Sequence, residues 1–315
     1  MNFKRKISFG LLVVFVIGAF FLGIFVQQLI IKDKFRVYVQ NGNLNVAVGQ
    51  KVTPTKTPAQ QIDLAKLTAE VFPQNGYIFK IKWGDLGKKM IADGVIDKEK
   101  LTKVITGDKP LPLQLEKYLD GSAESIELNQ SNAQFWVDIL WGLGLANKND
   151  ILEIGPMVDA GKTANFASTG GYTIAKSDAM NYYSKYFYIK LTPEQQIKVK
   201  EIAGNIYRPC CNNSTAFPDC NHGMAALALV ELMVSQDFSD IEIYKTVLAF
   251  NSYWFPQTYL DISYHFAKNN RDYKTVPAKE ILSKTFSSSS GYQAISKQIG
   301  PVVWPASSGR SSCGA

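Results

Sequence analysis

The chain has 315 residues, of which 46% are hydrophobic and 19% are charged, which fits one sizeable globular domain with an attachment segment. The net charge of +7 arises mostly from residues 1–36, which carry six Lys or Arg side chains and one Asp. Residues 37–315 show no cluster of basic side chains, so we expect no nucleic-acid partner, because such a partner requires a basic face on the domain.

Residues 7–31 are predicted to form a transmembrane helix after a short basic tail, residues 1–6. The segment carries no charge, and about 20 apolar residues in a helix cross the hydrocarbon core of a bilayer. A cleavable signal peptide has a shorter apolar region and a small-residue cleavage site, whereas this segment ends in bulky and charged residues. We therefore expect an uncleaved, single-pass anchor in the cell membrane.

The orientation of this anchor follows from the usual arrangement for a chain with only a short tail before it. That arrangement places the tail in the cytoplasm and the domain on the extracytoplasmic side. Basic residues at Lys32, Lys34 and Arg36 weaken the positive-inside bias, because they lie on the opposite flank.

Residues 32–58 are predicted to be a juxtamembrane segment and linker. The Thr-Pro pairs at 53–54 and 57–58 favour an extended backbone, because proline restricts the residue before it. From residue 59 to residue 305, helical patterns predict one mostly α-helical (all-α) domain with a single core, and strand signals are confined to short runs such as YIFKIKW. Residues 306–315 are rich in Ser and Gly, and we predict a flexible tail.

Several helices of this domain have clear signals. Capping boxes at Thr192–Gln195 and Ser239–Glu242 predict two helix starts. Residues 132–146 and 223–233 are apolar almost all round, which is typical of helices at the centre of a bundle. Glu231 is the lone charge in the second of these runs, and we expect it at a surface edge.

Residues 151–163, ILEIGPMVDAGKT, superficially match a strand followed by a phosphate-binding loop. Five residues separate Gly155 from Gly161, whereas that loop requires four. We interpret the segment as a plain connection and expect no nucleotide.

The chain also contains only two histidines and no His-Glu-x-x-His helix, which disfavours hydrolase chemistry. One of them, His265, is predicted to be a partly buried imidazole on an amphipathic helix.

Three of the four cysteines lie in residues 208–223, RPCCNNSTAFPDCNHG. Pro209 is expected to end the preceding helix, which places Cys210 and Cys211 in a connection. A capping residue beside Cys220, either Asp219 or Asn221, would place this cysteine at the first turn of the next helix. The partial positive charge of a helix N-terminus lowers the pKa of such a thiol.

This motif permits three interpretations. The first is a disulfide that joins Cys220 to Cys210 or Cys211 and braces the loop. The second is a site for Zn²⁺ or Cu⁺, since thiolate and imidazole suit soft metals, although C-C-x8-C-x-H matches no standard zinc knuckle. The third is thiol–disulfide exchange by Cys220 with a partner protein, in which His222 acts as a base that Asp219 orients. The predicted metal ligands are Cys210, Cys211, Cys220, His222 and Cys313.

The residues around the motif show a family resemblance. Arg208 precedes the cysteines, residues 219–221 read Asp-Cys-Asn, and Ser239-Asp240 opens the following helix. Residues 202–250 thereby resemble the CcmH-type thiol proteins of cytochrome c maturation, in which Arg-Cys-x-x-Cys in a loop is followed by Asp-Ser-Asn at a helix start. The resemblance implies a thiol displayed between two helices outside the membrane. This chain differs in having adjacent cysteines and Cys220 at the serine position.

We expect a membrane-anchored extracytoplasmic protein whose thiol motif binds Zn or Cu. CcmH-like thiol–disulfide exchange is the alternative, and an interaction scaffold braced by disulfides is the second alternative.

Overall fold

The structure is a computed structural model that describes residues 36–40, 43–47, 62–121 and 123–305. The chain divides into two units, residues 1–61 and 62–315. The predicted anchor, its basic tail and Cys313 lie outside the described residues. Among the helices that are described, none has both the length and the apolar character needed to cross a bilayer.

The first unit contains a two-stranded antiparallel pair, β1 (Arg36–Gln40) and β2 (Asn43–Ala47). The register runs from Arg36 opposite Ala47 to Gln40 opposite Asn43. This pairing falls within the segment predicted as a juxtamembrane segment and extended linker, a prediction that did not include paired strands.

The second unit is mostly helical, which confirms the predicted secondary-structure class. The described residues of its first half form seven α-helices: α1 Leu64–Val71, α2 Leu86–Ala92, α3 Lys98–Thr106, α4 Leu113–Asp120, α5 Ala133–Ala146, α6 Asp150–Ile154 and α7 Pro156–Asp159. Its second half, as far as the structure describes it, forms seven more α-helices: α8 Pro193–Gly204, α9 Asn221–Ser235, α10 Asp240–Trp254, α11 Pro256–Lys268, α12 Ala278–Ile281, α13 Lys284–Ser287 and α14 Ser289–Ile299. One small sheet pairs β3 (Tyr77–Phe79) with β4 (Ile126–Leu128) in antiparallel fashion.

The core of this unit is built around α5 and α9, as the all-round apolar pattern predicted. In α9 every residue from Met224 to Val234 is buried. The two helices approach so closely that a Cβ at Gly144 would overlap the Met224 carbonyl oxygen. Aromatic rings extend the core, for example Trp136, whose ring centroid lies 5.4 Å from that of Trp83. Burial of such large rings contributes strongly to the stability of the fold.

Both predicted capping boxes are present, at the starts of α8 and α10. The end of α8 differs from the prediction, because the helix stops at Gly204 and not at Pro209. Residues 151–163, interpreted as a plain connection, instead contain most of α6 and all of α7, so that interpretation is wrong for this part of the segment. His265 lies partly buried on α11, as predicted.

Glu231 is not at a surface edge, and that prediction is wrong. Its side chain is fully buried and accepts hydrogen bonds from Asn147 Nδ2 at 2.8 Å and from Asn149 Nδ2. Each asparagine also accepts a backbone N–H, from Ile189 and Ile151 respectively. Burial raises the pKa of Glu231 to about 8, although the two amide hydrogen bonds lower it. Glu231 thus anchors the α5–α6 connection to α9.

Candidate thiol site

The predicted cysteine motif occupies the connection between α8 and α9. Cys220 itself is the N-cap of α9, with an extended backbone and a sulfur that accepts the Gly223 N–H at 3.3 Å. The predicted caps, Asp219 and Asn221, do not fill this role. The sulfur therefore takes the place of the usual cap oxygen and lies at the positive end of the helix.

The structure brings three cysteines together in one group, which we call the thiol cluster: Cys210, Cys211 and Cys220. Their sulfur atoms all lie within 4.8 Å of one another, and the Cys210 and Cys220 sulfurs are 3.3 Å apart. All three are free thiols, so no disulfide of the kind considered above joins them. Cys210 is exposed, whereas the other two are half-buried. The cluster therefore opens to solvent at Cys210.

Arg208 is the centre of the loop that carries the cluster. Its side chain is fully buried, and its Nε donates to the Cys220 sulfur at 2.9 Å. Its Nη1 donates to the Asn213 carbonyl oxygen at 3.1 Å, and its Nη2 donates to the Phe217 carbonyl oxygen at 3.2 Å and to Asp219 Oδ1 at 2.8 Å. One guanidinium thus fixes the shape of the loop and the position of a sulfur. In the sequence, only the family resemblance drew attention to Arg208, and its position two residues before Cys210 was the local signal for its role.

Asp219 supports this arrangement from the other side. Its Oδ2 accepts a hydrogen bond from Asn213 Nδ2 at 2.7 Å, and its Oδ1 lies 3.7 Å from the Cys211 sulfur. The carboxylate therefore faces Arg208 and the loop, and within the described residues it has no hydrogen bond to His222. The predicted orienting role of Asp219 toward His222 is not observed.

His222 lies on the first turn of α9 but is not a member of the group of ligand atoms. Its ring packs on Phe255, at a centroid separation of 4.5 Å, and on Trp254, at 5.7 Å. Its Nδ1 is buried and has no hydrogen-bond partner among the described residues. Burial lowers the pKa of His222 to about 4, so the imidazole is neutral at neutral pH.

The three thiols do not share one protonation state. Hydrogen bonds from Cys210 and Cys211, together with the charge of Arg208, hold the pKa of Cys220 well below its usual range. Hydrogen bonds to Cys211 and Cys220 raise the pKa of Cys210. For Cys211, the hydrogen bond with Cys210 lowers the pKa, but the hydrogen bond with Cys220 and burial outweigh it and raise the pKa to about 11. Cys220 is therefore the thiol of the cluster that loses its proton most readily.

A third element, α14, holds the loop in place. The Ser289 N–H donates to the Cys211 carbonyl oxygen at 2.9 Å, and the Ser290 N–H donates to Asn212 Oδ1 at 2.9 Å. No local sequence pattern predicts these contacts, because they join residues 78 positions apart in the chain. Comparison of the chain with protein-family models, curated proteins and solved structures finds no match.

Proposed function

We propose that this chain is a membrane-anchored, extracytoplasmic binding module for a soft transition metal, Zn²⁺ or Cu⁺. The three sulfur atoms of the thiol cluster are the ligands of this proposal. The observation that carries it is their convergence within 4.8 Å, from two sides of one loop. Thiolate ligands favour these ions over hard cations such as Mg²⁺ or Ca²⁺.

The spacing of the sulfurs fits a shared ion. A Zn–S bond is about 2.3 Å long, so three sulfurs around one ion lie about 4 Å apart. The sulfurs of the cluster need to shift little from their present separations, which are 3.3 Å for one pair and at most 4.8 Å for the others. Arg208 compensates part of the negative charge that three deprotonated thiols would carry, and its hydrogen bond orients the Cys220 sulfur as outer-shell groups do in metal sites.

The Cys220→Ser variant tests this proposal without removing the helix cap. A serine oxygen accepts the Gly223 N–H at least as well as sulfur does, so we expect α9 to remain intact. Metal content per chain and affinity for Zn²⁺ and Cu⁺ would be measured by chelator competition. We expect one ion per wild-type chain and a loss of more than about 100-fold in affinity in the variant, because a ligand matters more than an outer-shell group.

A matched control is Ser239→Ala, which removes a capping hydroxyl at α10, on an element that provides no cluster thiol. Its metal content is expected to equal that of the wild type. Absence of stoichiometric Zn²⁺ and Cu⁺ from the wild-type chain under reducing conditions would refute the proposal.

Thiol–disulfide exchange is a second candidate function, favoured by the 3.3 Å approach of Cys210 to the low-pKa thiol of Cys220. The Cys220 thiolate would attack a partner disulfide, and one partner sulfur would leave as a thiolate. Cys210 would then lose its proton and attack the Cys220 sulfur, which would release the second partner thiolate and leave a Cys210–Cys220 disulfide. Because the Cys211 sulfur also lies within 4.8 Å of the Cys220 sulfur, the variant that replaces both Cys210 and Cys211 with serine should trap the mixed disulfide with a small disulfide reagent, and the absence of such an adduct would reject this function.

The membrane part of the proposal depends on the uncharged segment 7–31. Membrane association that resists alkaline carbonate, and loss of it on deletion of residues 1–35, would be the expected result. Protease added to intact cells or spheroplasts should digest the domain if it lies on the extracytoplasmic side. Full protection would reverse the orientation.

A further inference from the structure

Among the described residues, the ligand atoms of the thiol cluster are three sulfurs. Cys210, Cys211 and Cys220 place these atoms within 4.8 Å of one another, whereas the ring of His222 packs on Phe255 at a centroid separation of 4.5 Å. A set of three thiols suits a centre that forms three bonds.

Soft centres that bind thiolates differ in the number of bonds they form. Zn²⁺ in structural sites is almost always four-coordinate and tetrahedral. A trivalent metalloid, such as the arsenic of arsenite, forms three bonds, and its lone pair of electrons occupies the fourth direction. Its geometry is a pyramid with three ligands at the base, so three thiols complete it.

The spacing of the sulfurs in the cluster suits such a pyramid. The lone pair compresses the angles between the three bonds from the tetrahedral value toward right angles. For bonds of about 2.3 Å, this change lowers the separation of two sulfurs from about 4 Å to about 3.3 Å. The Cys210 and Cys220 sulfurs are 3.3 Å apart, so this pair already has the separation that a pyramidal centre requires.

The charges beside the cluster favour a product that carries no net charge. Arg208 is buried and contributes one positive charge, and Asp219, whose Oδ1 accepts from its Nη2 at 2.8 Å, contributes one negative charge. Three thiolates around Zn²⁺ add one negative charge to this balanced pair, whereas three thiolates around a trivalent metalloid add none. Because two of the thiols are half-buried, an uncompensated charge there costs free energy.

The loop holds the thiols in place before any ligand arrives. Arg208 Nε donates to the Cys220 sulfur at 2.9 Å, and the Ser289 N–H donates to the Cys211 carbonyl oxygen at 2.9 Å. Ligands that are already ordered lose less entropy on binding, which increases affinity. Cys210 is exposed and gives a small molecule access to the cluster.

We propose that the thiol cluster binds trivalent metalloids of the arsenite class through all three sulfurs. Cys210, the exposed thiol, reacts first with the entering trihydroxide, and Cys220 and Cys211 follow. Each new arsenic–sulfur bond replaces one arsenic–oxygen bond, and the hydroxide leaves with the thiol proton as water. One As(OH)₃ and three thiols thus give one tris-thiolate and three waters, and a thiol that is already ionised takes the balancing proton from solvent. Arsenic stays trivalent throughout, so no oxidant or reductant takes part.

The same three sulfurs carry the function proposed above, but binding of a metalloid does not depend on binding of Zn²⁺ or Cu⁺. The test uses the reduced full chain in a mild non-ionic detergent, with sodium arsenite as the probe. Native mass spectrometry should show the gain of one arsenic and the loss of three hydrogens. The number of free thiols should fall from four to one, and X-ray absorption at the arsenic edge should show three sulfur neighbours and no oxygen.

Two serine variants test the ligand set. Cys211→Ser keeps the closely spaced Cys210–Cys220 pair, and Cys210→Ser changes the exposed member. We expect the affinity for arsenite to fall about 100-fold in each variant, because the third bond forms within one molecule at a high effective concentration. In both variants an oxygen should replace one sulfur neighbour. Cys313→Ser is the matched control, since it removes a cysteine outside the cluster, and it should keep the wild-type affinity and three sulfur neighbours.

The outcomes distinguish this proposal from the metal function. A wild-type chain that binds Zn²⁺ or Cu⁺ but not arsenite would overturn the metalloid site and leave the metal function intact. Binding of arsenite without binding of either ion would do the reverse. Wild-type affinity for arsenite in Cys211→Ser, or a weakened affinity in Cys313→Ser, would overturn the assignment of the three sulfurs.

Discussion

Each end of α9 has a buried side chain that is charged in water. The two side chains differ in their partners and in whether they keep that charge. At the N-terminal end Arg208 is fully buried against a carboxylate and a sulfur at the helix start. At the other end Glu231 is equally buried, but its partners are the neutral amides of Asn147 and Asn149. Burial alone would lower the pKa of Arg208, but the charges of the thiol cluster outweigh it, so the guanidinium remains charged.

This difference shows that burial does not decide what a polar group can do. Glu231, whose pKa is raised to about 8, is mostly neutral at neutral pH and serves to hold two connections together. Arg208 keeps its charge and donates a hydrogen bond to the Cys220 sulfur, in a cluster whose member Cys210 is exposed. Only the first end of α9 therefore has the electrostatics of a site that binds a metal ion or reacts as a thiolate.

The largest effect is expected from Arg208→Met, which removes the charge from the first end of α9. The variant leaves Asp219 without its buried partner, and it leaves the Asn213 and Phe217 carbonyl oxygens without their donor. We expect the free energy of unfolding to fall by about 3 to 5 kcal/mol, as measured by urea denaturation.

The control for this variant is Arg271→Met, which breaks the ion pair with Glu280 on the surface. Surface pairs contribute about 0 to 1 kcal/mol, so this control should remain close to the wild type. Equal losses in the two variants would contradict the role of Arg208 as the centre of the loop.

The second prediction concerns the neutral end of α9 and the pH dependence of stability. The pKa of Glu231 is about 8 in the folded state and has its ordinary value of 4.5 in the unfolded state. Between these values the folded chain binds a proton that the unfolded chain has lost, so the free energy of unfolding falls as pH rises. One such group contributes about 1.4 kcal/mol per pH unit.

Glu231→Gln should remove this contribution. Its curve of stability against pH is therefore expected to be flatter than that of the wild type between about 4.5 and about 8, whatever its absolute stability. Asp138, whose pKa burial raises to about 7, is retained in both proteins and cancels in the comparison. Parallel curves would show that Glu231 is ionised in the fold.

The sequence could predict those features that depend on residues close together in the chain. Capping boxes depend on residues three positions apart, so Thr192–Gln195 and Ser239–Glu242 were recognised correctly. All-round apolar patterns identified α5 and α9 as the central helices. One signal of two residues was overlooked. Asn41-Gly42 lies between two short runs in which apolar and polar residues alternate, a pattern typical of a β-hairpin, and β1 and β2 do pair.

The features that sequence reasoning missed depend on residues far apart in the chain. Glu231 is satisfied by asparagines more than 80 positions away, so no local pattern could place it inside. The cysteine loop is held by a backbone contact between Ser289 and Cys211, which is likewise invisible to local spacing. The motif itself indicated which cysteines would meet, but it did not indicate that Cys220 would cap its own helix.

The smallest effect is expected from Gly223→Ala, which perturbs the charged end of α9 without removing any functional group. A Cβ at this position would overlap the Arg208 guanidinium, and Arg208 cannot move without losing its hydrogen bonds to Cys220 and Asp219. Overpacking of this kind costs about 1 to 3 kcal/mol, more than alanine gains in a helix. The control, Gly204→Ala at the end of α8, has no atom near the added Cβ and should be neutral or slightly stabilising.

A second readout connects this change to the thiol cluster. Because the displaced guanidinium would stabilise the Cys220 thiolate less, thiolate absorbance near 240 nm should appear at a higher pH in Gly223→Ala than in Gly204→Ala. A loss of stability with an unchanged thiolate titration would mean that Arg208 shapes the loop but does not set the charge of the sulfur. The charge of the Cys220 sulfur would then depend on the other two thiols and on the start of α9. The Arg208→Met variant would confirm this by retaining a thiolate at low pH.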